Sequence, residues 1–178
     1  MTASQQLFRD KDQWHESFRE ALEIRLKHLR GGGRRLGDHI RLTVENLGSP
    51  SVAYRQVRGI ADEAFKVIWD AECPDRNLPS HWMEKFKQEG ESRIDRIGPC
   101  VPRERGDQIR LLRLANKHNL LKYISDSSYR FTEALHNAGN AGQHETSEKT
   151  VTEGAVQAVA LMAFELADQL ADEIQTKQ

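Results

Sequence analysis

The sequence predicts an all-α protein, a bundle of about five to seven helices in which an N-terminal helical hairpin packs on a larger helical core. Three observations carry this expectation. Apolar residues recur at steps of three and four along most of the chain, no stretch alternates with a period of two, and glycine or proline clusters fall between the periodic stretches. With 178 residues, the chain is long enough to bury a core without disulfides or a structural metal.

The first helix is expected over residues 11–30, where Trp14, Phe18, Leu22, Leu26 and Leu29 make one apolar stripe. Gly31-Gly32-Gly33 should end it, because consecutive glycines lose too much backbone entropy to stay helical. A second helix over 34–47 carries Leu36, Ile40, Val44 and Leu47 on one face and completes the hairpin, residues 1–49. Gly48-Ser49-Pro50 breaks the chain, and residues 50–178 form the main bundle.

Ser51 is the expected N-cap of a third helix reaching Ala71, with Val57, Ile60, Ala61, Ala64, Val67 and Ile68 inward and Arg58 one turn from Asp62. Pro74, Pro79, Pro99 and Pro102 punctuate residues 72–106, leaving one short helix around Ser80–Lys87 in which Trp82 reads as a core anchor. Periodicity returns at Asp107 with Ile109, Leu112, Ala115 and Leu120, and that helix ends near 117–119. Asp126 or Ser127 caps the next, whose face carries Phe131, Leu135 and Ala138, and Gly139-Asn140 reads as its stop. The last helix opens at Thr150, with Glu153 at capping-box spacing. Val151, Ala155, Val159, Met162, Leu166 and Leu170 line one of its faces, and Val156, Ala160, Phe164, Ala167 and Ala171 another. A helix this apolar lies at the centre of a bundle or is shared with a second subunit, so a homodimer through this helix and the 136–144 segment is expected.

Composition narrows the function classes. Cys73 and Cys100 are too few for a disulfide framework and have no zinc-ligand spacing, so two reduced thiols in a cytoplasmic protein are expected. Residues 1–9 lack the apolar core of a signal peptide, and no apolar run nears the roughly 20 residues that span a bilayer. No membrane association, metal or cofactor is expected; phosphate-binding glycine loops, zinc-protease helices and nucleophile elbows do not occur. Residues 1–60 hold eleven Lys/Arg against seven Asp/Glu, whereas 123–178 hold three against nine. The basic half can attract phosphate. Arg30, Arg34 and Arg35 around the triple glycine are the candidate nucleic-acid contacts, though the same residues also read as a solvated turn.

The segment Leu135-His136-Asn137-Ala138-Gly139-Asn140-Ala141-Gly142-Gln143-His144 is the most informative. As a loop between two apolar helices it would bring two imidazoles and two carboxamides together, with Arg130 about one and a half turns upstream. Histidine suits proton transfer near neutral pH, and carboxamides or exposed backbone N–H groups can hold an oxyanion. The alternative on residues alone is a plain helix C-cap, with His144 bonding a nearby carbonyl.

Leu135-His136-x-x-Gly139-Asn140-x-x-x-His144, followed by a long alanine-rich helix, resembles the Leu-Arg-x-x-Gly-Asn-x-x-x-His motif of one branch of the HEPN-like helical domains. The likeness covers about residues 50–175. It departs from the motif at the arginine, which is His136 here, while Arg130 and His136 have the arginine, five residues, histidine spacing. The resemblance implies a nucleic-acid-directed protein of a defence, toxin or stress system. If catalytic, it would be a metal-independent endoribonuclease using Arg130, His136, Asn140 and His144. It equally implies the alternative of a non-catalytic dimerisation or adaptor module that binds a protein partner or a nucleotide.

Overall fold

A computed structural model describes residues 32–46, 49–92, 94–144 and 153–176. These form seven α-helices and no strand: α1 (Gly32–Glu45), α2 (Pro50–Glu72), α3 (Ser80–Gln88), α4 (Ile94–Ile97), α5 (Arg105–Lys117), α6 (Asp126–His144) and α7 (Glu153–Thr176). The expected helix over 11–30 and the capping box at Thr150 lie outside the described residues.

Four long helices make the bundle, with α2 at its centre against α1, α6 and α7. All six α2 residues expected to face inward are buried, and Phe65 and Trp69 join them. That burial extends round much of the helix circumference, as a central helix requires. Leu36 and Ile40 seal α1 onto the same core. Ala160, Ala163, Ala167 and Ala171 recur at steps of three and four along α7 and are buried with Val159, Leu166, Leu170 and Ile174. Their small side chains let α7 lie close to its neighbours.

Three expectations are corrected. Gly32 and Gly33 belong to the first turn of α1, where missing side chains matter less than in a helix interior. The cap of α2 is Ser49, because Pro50 takes the first helical position, where its absent N–H is no loss. The helix containing Leu135 passes through Gly139-Asn140 and ends only at His144. Residues 136–144 are therefore helix, and their backbone N–H groups are committed to the helix ladder rather than exposed for an oxyanion.

The proline-rich stretch folds as a flank on the bundle. An isolated antiparallel bridge joins Asn77 to Cys100, with Leu78 N–H donating to the Pro99 carbonyl at 2.7 Å and Val101 N–H to Arg76 at 2.9 Å. Trp82 is 1% exposed, packs beside Trp69 and Phe86, and donates its indole N–H to the Leu120 carbonyl at 3.1 Å. The connection from α5 to α6 is tied down by Glu72, whose buried carboxylate accepts the backbone N–H groups of Lys122, Tyr123 and Ile124 at 2.9, 2.7 and 2.9 Å. That clamp fixes where α6 begins and hence which residues it turns toward α2 and α5.

Candidate functional site: a polar cluster between α2, α5 and α6

Gly139 decides the geometry. A Cβ there would lie 2.9 Å from both Cα and backbone N of Arg58. Only glycine lets the α6 backbone approach α2 this closely. His136 stands three residues before the crossing and Asn140 one after it, so both reach the seam beside Arg58 and Asp62. They are also one turn apart on α6, with His136 Nε2 2.9 Å from Asn140 Nδ2.

The third wall comes from the start of α5. Arg105 pairs through both terminal nitrogens with the Asp62 carboxylate. Its Nη2 also lies 3.3 Å from His136 Nδ1. A guanidinium can only donate, so Nδ1 carries the lone pair and the neutral ring holds its proton on Nε2. The Asn140 carboxamide, whose two ends interchange by a flip, then offers its oxygen to Nε2. Phe65 meets the imidazole edge-on, with centroids 5.7 Å apart and planes at 71°. Further along the seam Arg113 pairs with Glu133 at 2.7 Å.

These surroundings set the protonation state. Burial lowers the His136 pKa below its ordinary 6.5, Arg105, Arg58 and Arg113 lower it further, and only Glu133 opposes them. The ring is therefore neutral near pH 7, the form a general base needs. Burial, and then the nearby Arg58, lower the pKa of Arg105 as well. The buried Tyr129 phenol, near Arg113 and Glu133, is pushed up to about 12, chiefly by burial.

Of the residues expected to act together, the structure joins His136 and Asn140. Arg130 is directed elsewhere: it is an exposed side chain paired with Asp126 one turn back, at 2.6 Å. Six residues of helix also turn it about 120° from His136. His144 belongs to the last turn of α6, two turns beyond His136, and its side chain lies outside the described residues. Arg35 is exposed on α1, the side chain of Arg34 lies outside the described residues, and so does Arg30. The arginine beside the imidazole is Arg105, which sequence reasoning missed. Its short-range context is proline-punctuated and aperiodic, and its partners lie 43 and 31 residues away. Arg58 and Asp62 were visible as a helical pair, but not Asp62 as the carboxylate that holds Arg105.

Among the described residues no three side chains of the metal-ligating types cluster, and no helix is long and apolar enough to cross a membrane. Fold and side-chain cluster together define an all-α bundle with a half-buried, arginine-containing polar site. Neither family models nor curated proteins nor solved structures match the chain.

Proposed function

We propose that the chain is a HEPN-like, RNA-directed protein of a defence, toxin or stress system, and that the polar cluster around His136 is a metal-independent endoribonuclease site. The observation that carries this reading is an imidazole nitrogen, His136 Nδ1, facing the partly buried Arg105 guanidinium 3.3 Å away. With an RNA phosphate on Arg105, the adjacent 2′-hydroxyl meets His136 Nδ1. His136 takes the hydroxyl proton as the 2′-oxygen attacks phosphorus. Arg105 stabilises the charge that builds on the phosphorane, a role the sequence assigned to Arg130 or to backbone amides. The bond to the 5′-oxygen breaks, that oxygen takes a proton from solvent, and the products are a 2′,3′-cyclic phosphate and a 5′-hydroxyl. Asn140 holds the ring in the tautomer the step needs.

The test is cleavage of a labelled RNA in excess chelator. Wild-type protein should cut, and His136→Ala should lose about a hundred- to ten-thousand-fold in rate while keeping its helicity. His144→Ala, run alongside, reports whether the second motif histidine takes part. A non-catalytic module is the second reading, favoured by one feature: both His136 nitrogens already have partners, as in a purely structural histidine. A wild type that cuts nothing, with a His136→Ala variant that loses stability, establishes that module instead.

The homodimer belongs to the same proposal. Among the described residues its support is Leu161 on α7, a large apolar side chain left 44% exposed. Light scattering at high micromolar concentration should give twice the chain mass, and a monomer there contradicts it.

A further inference from the structure

The first turn of α5 has two working sides. Arg105 turns to Asp62 on α2, whereas Asp107 meets Arg96 on α4 at 3.5 Å. Two residues of helix rotate the chain by about 200°, so these contacts lie on opposite sides of the turn. On the α4 side is an open cavity of about 200 Å³, lined by Arg96, Ile97, Pro102, Arg103, Glu104 and Asp107. Its frame is held in place. Gln108 Nε2 donates to the Pro102 carbonyl at 2.7 Å, the Gln108 N–H donates to the Glu104 carbonyl at 3.0 Å, and the Asp107 side chain keeps only 6% of its exposure. The other charged groups are accessible: Arg103 and Glu104 are exposed, and Arg96 keeps 68% of its exposure. Glu104 is the N-cap of α5, yet its side chain makes no cap hydrogen bond. The helix end therefore gives that carboxylate no task.

A cavity of this size is smaller than the roughly 300–1,000 Å³ of pockets that enclose a whole small molecule, and suits one ring of a longer ligand. Its walls offer what one nucleotide of single-stranded RNA requires: arginine for the phosphate and for the face of the base, aliphatic Ile97 and Pro102 for the ring, and a carboxylate for the base edge. An ionised carboxylate only accepts hydrogen bonds. Guanine alone among the four bases sets two donors, N1–H and N2–H, side by side. Adenine and cytosine place an acceptor nitrogen next to their amino group, and uracil flanks its N3–H with two carbonyls. We propose that this cavity is a guanine pocket, in which Glu104 accepts N1–H and N2–H while Arg96 and Arg103 hold the ring face and the phosphate. Because Glu104 directly precedes Arg105, a strand with one phosphate at Arg105 can lay the neighbouring nucleotide over the end of α5 into the pocket. The inference rests on the proposed function in taking RNA as the ligand, and adds to it which base stands beside the cut.

The experiment titrates the full chain with 5′-GMP, 5′-AMP, 5′-CMP and 5′-UMP and follows the backbone amides by NMR. GMP should shift amides between residues 96 and 107 and bind about tenfold or more tighter than the other three, the scale on which a bidentate base contact discriminates. Glu104→Gln replaces one acceptor oxygen with a donor and should remove the preference. Its circular dichroism should match wild type, because the side chain takes no part in the cap. Arg103→Ala should weaken all four nucleotides alike and lessen the salt dependence. Equal binding of the four, no binding of any at millimolar concentration, or a GMP preference that survives Glu104→Gln overturns the pocket. So does binding of an arginine-rich peptide in place of nucleotides, which would make the cavity a protein-docking site. A chain that selects GMP yet cleaves no RNA keeps the pocket and refutes the ribonuclease. A chain that cuts beside every base alike, in wild type and in Glu104→Gln, keeps the ribonuclease and refutes the pocket.

Discussion

At the scale of single residues, Gly139 shows what a sequence can and cannot disclose. Glycine followed by asparagine is the usual chemistry of a helix end. The same glycine also serves where two backbones touch, and only the partner helix, some eighty positions earlier, distinguishes the uses. Gly139→Ala should therefore destabilise the fold by about 1–3 kcal/mol, because the new methyl would press on the Arg58 backbone, which cannot swing aside. Gly106→Ala is the matched control: a Cβ there meets nothing within 4 Å, so the unfolding free energy read from urea titration should hold or rise, by up to about 1 kcal/mol. His136 gives a pH signature at the same scale. Its folded pKa lies below 6.5, so the unfolded chain takes up a proton first as the solution is acidified. Stability contributed by the neutral ring is complete above pH 6.5 and is lost as pH falls through the folded value. Urea midpoints at pH 7 and pH 5 should converge in a His136→Asn variant relative to wild type. An equal drop in both proteins would place the acid sensitivity elsewhere.

At the scale of elements, helix positions were legible because amphipathic periodicity is a local property. The buried stripe of α2 follows the pattern of its own residues, and on α5 Leu112 and Ala115 are buried as expected, but on α6 only Leu135 of the expected face is buried, with Ser128, Tyr129 and Thr132 turned inward beside it. What joins the elements was not legible. Glu72 closes α2 and reads locally as one more polar residue, yet its carboxylate gathers three N–H groups about fifty positions away. The start of α6 has a second anchor in Glu173, which accepts from Ser125 N–H at 3.0 Å and from the Ser128 hydroxyl at 3.0 Å. Removing the Glu72 carboxylate leaves buried donors without acceptors, so Glu72→Ala should cost at least about 2 kcal/mol. Hydrogen exchange should show protection lost first at residues 122–124, with Glu72→Gln intermediate because it keeps one acceptor oxygen. Protection unchanged at those amides would mean that another group holds the connection.

At the scale of the whole molecule, the sequence disclosed the helical class, the extensive burial of the last helix and one wall of the site, whereas the helix at the centre is α2. The other two walls come from α2 and from the first residue of α5, which tertiary packing alone brings to His136. The breadth of apolar surface on α7 has a largely internal explanation, since Val159 through Ile174 bury eight side chains in their own bundle. The proposed function stands on the His136 imidazole acting as a base beside Arg105 on an RNA phosphate. Single-turnover cleavage of an RNA containing one ribonucleotide linkage, in chelator and across pH 4.5 to 8, tests this most directly. The account predicts a rate that rises with pH and levels off with an apparent pKa below 6.5, and that falls by about a hundredfold or more in His136→Ala. No cleavage above background at any pH, or a pH profile that His136→Ala leaves unchanged, would contradict it.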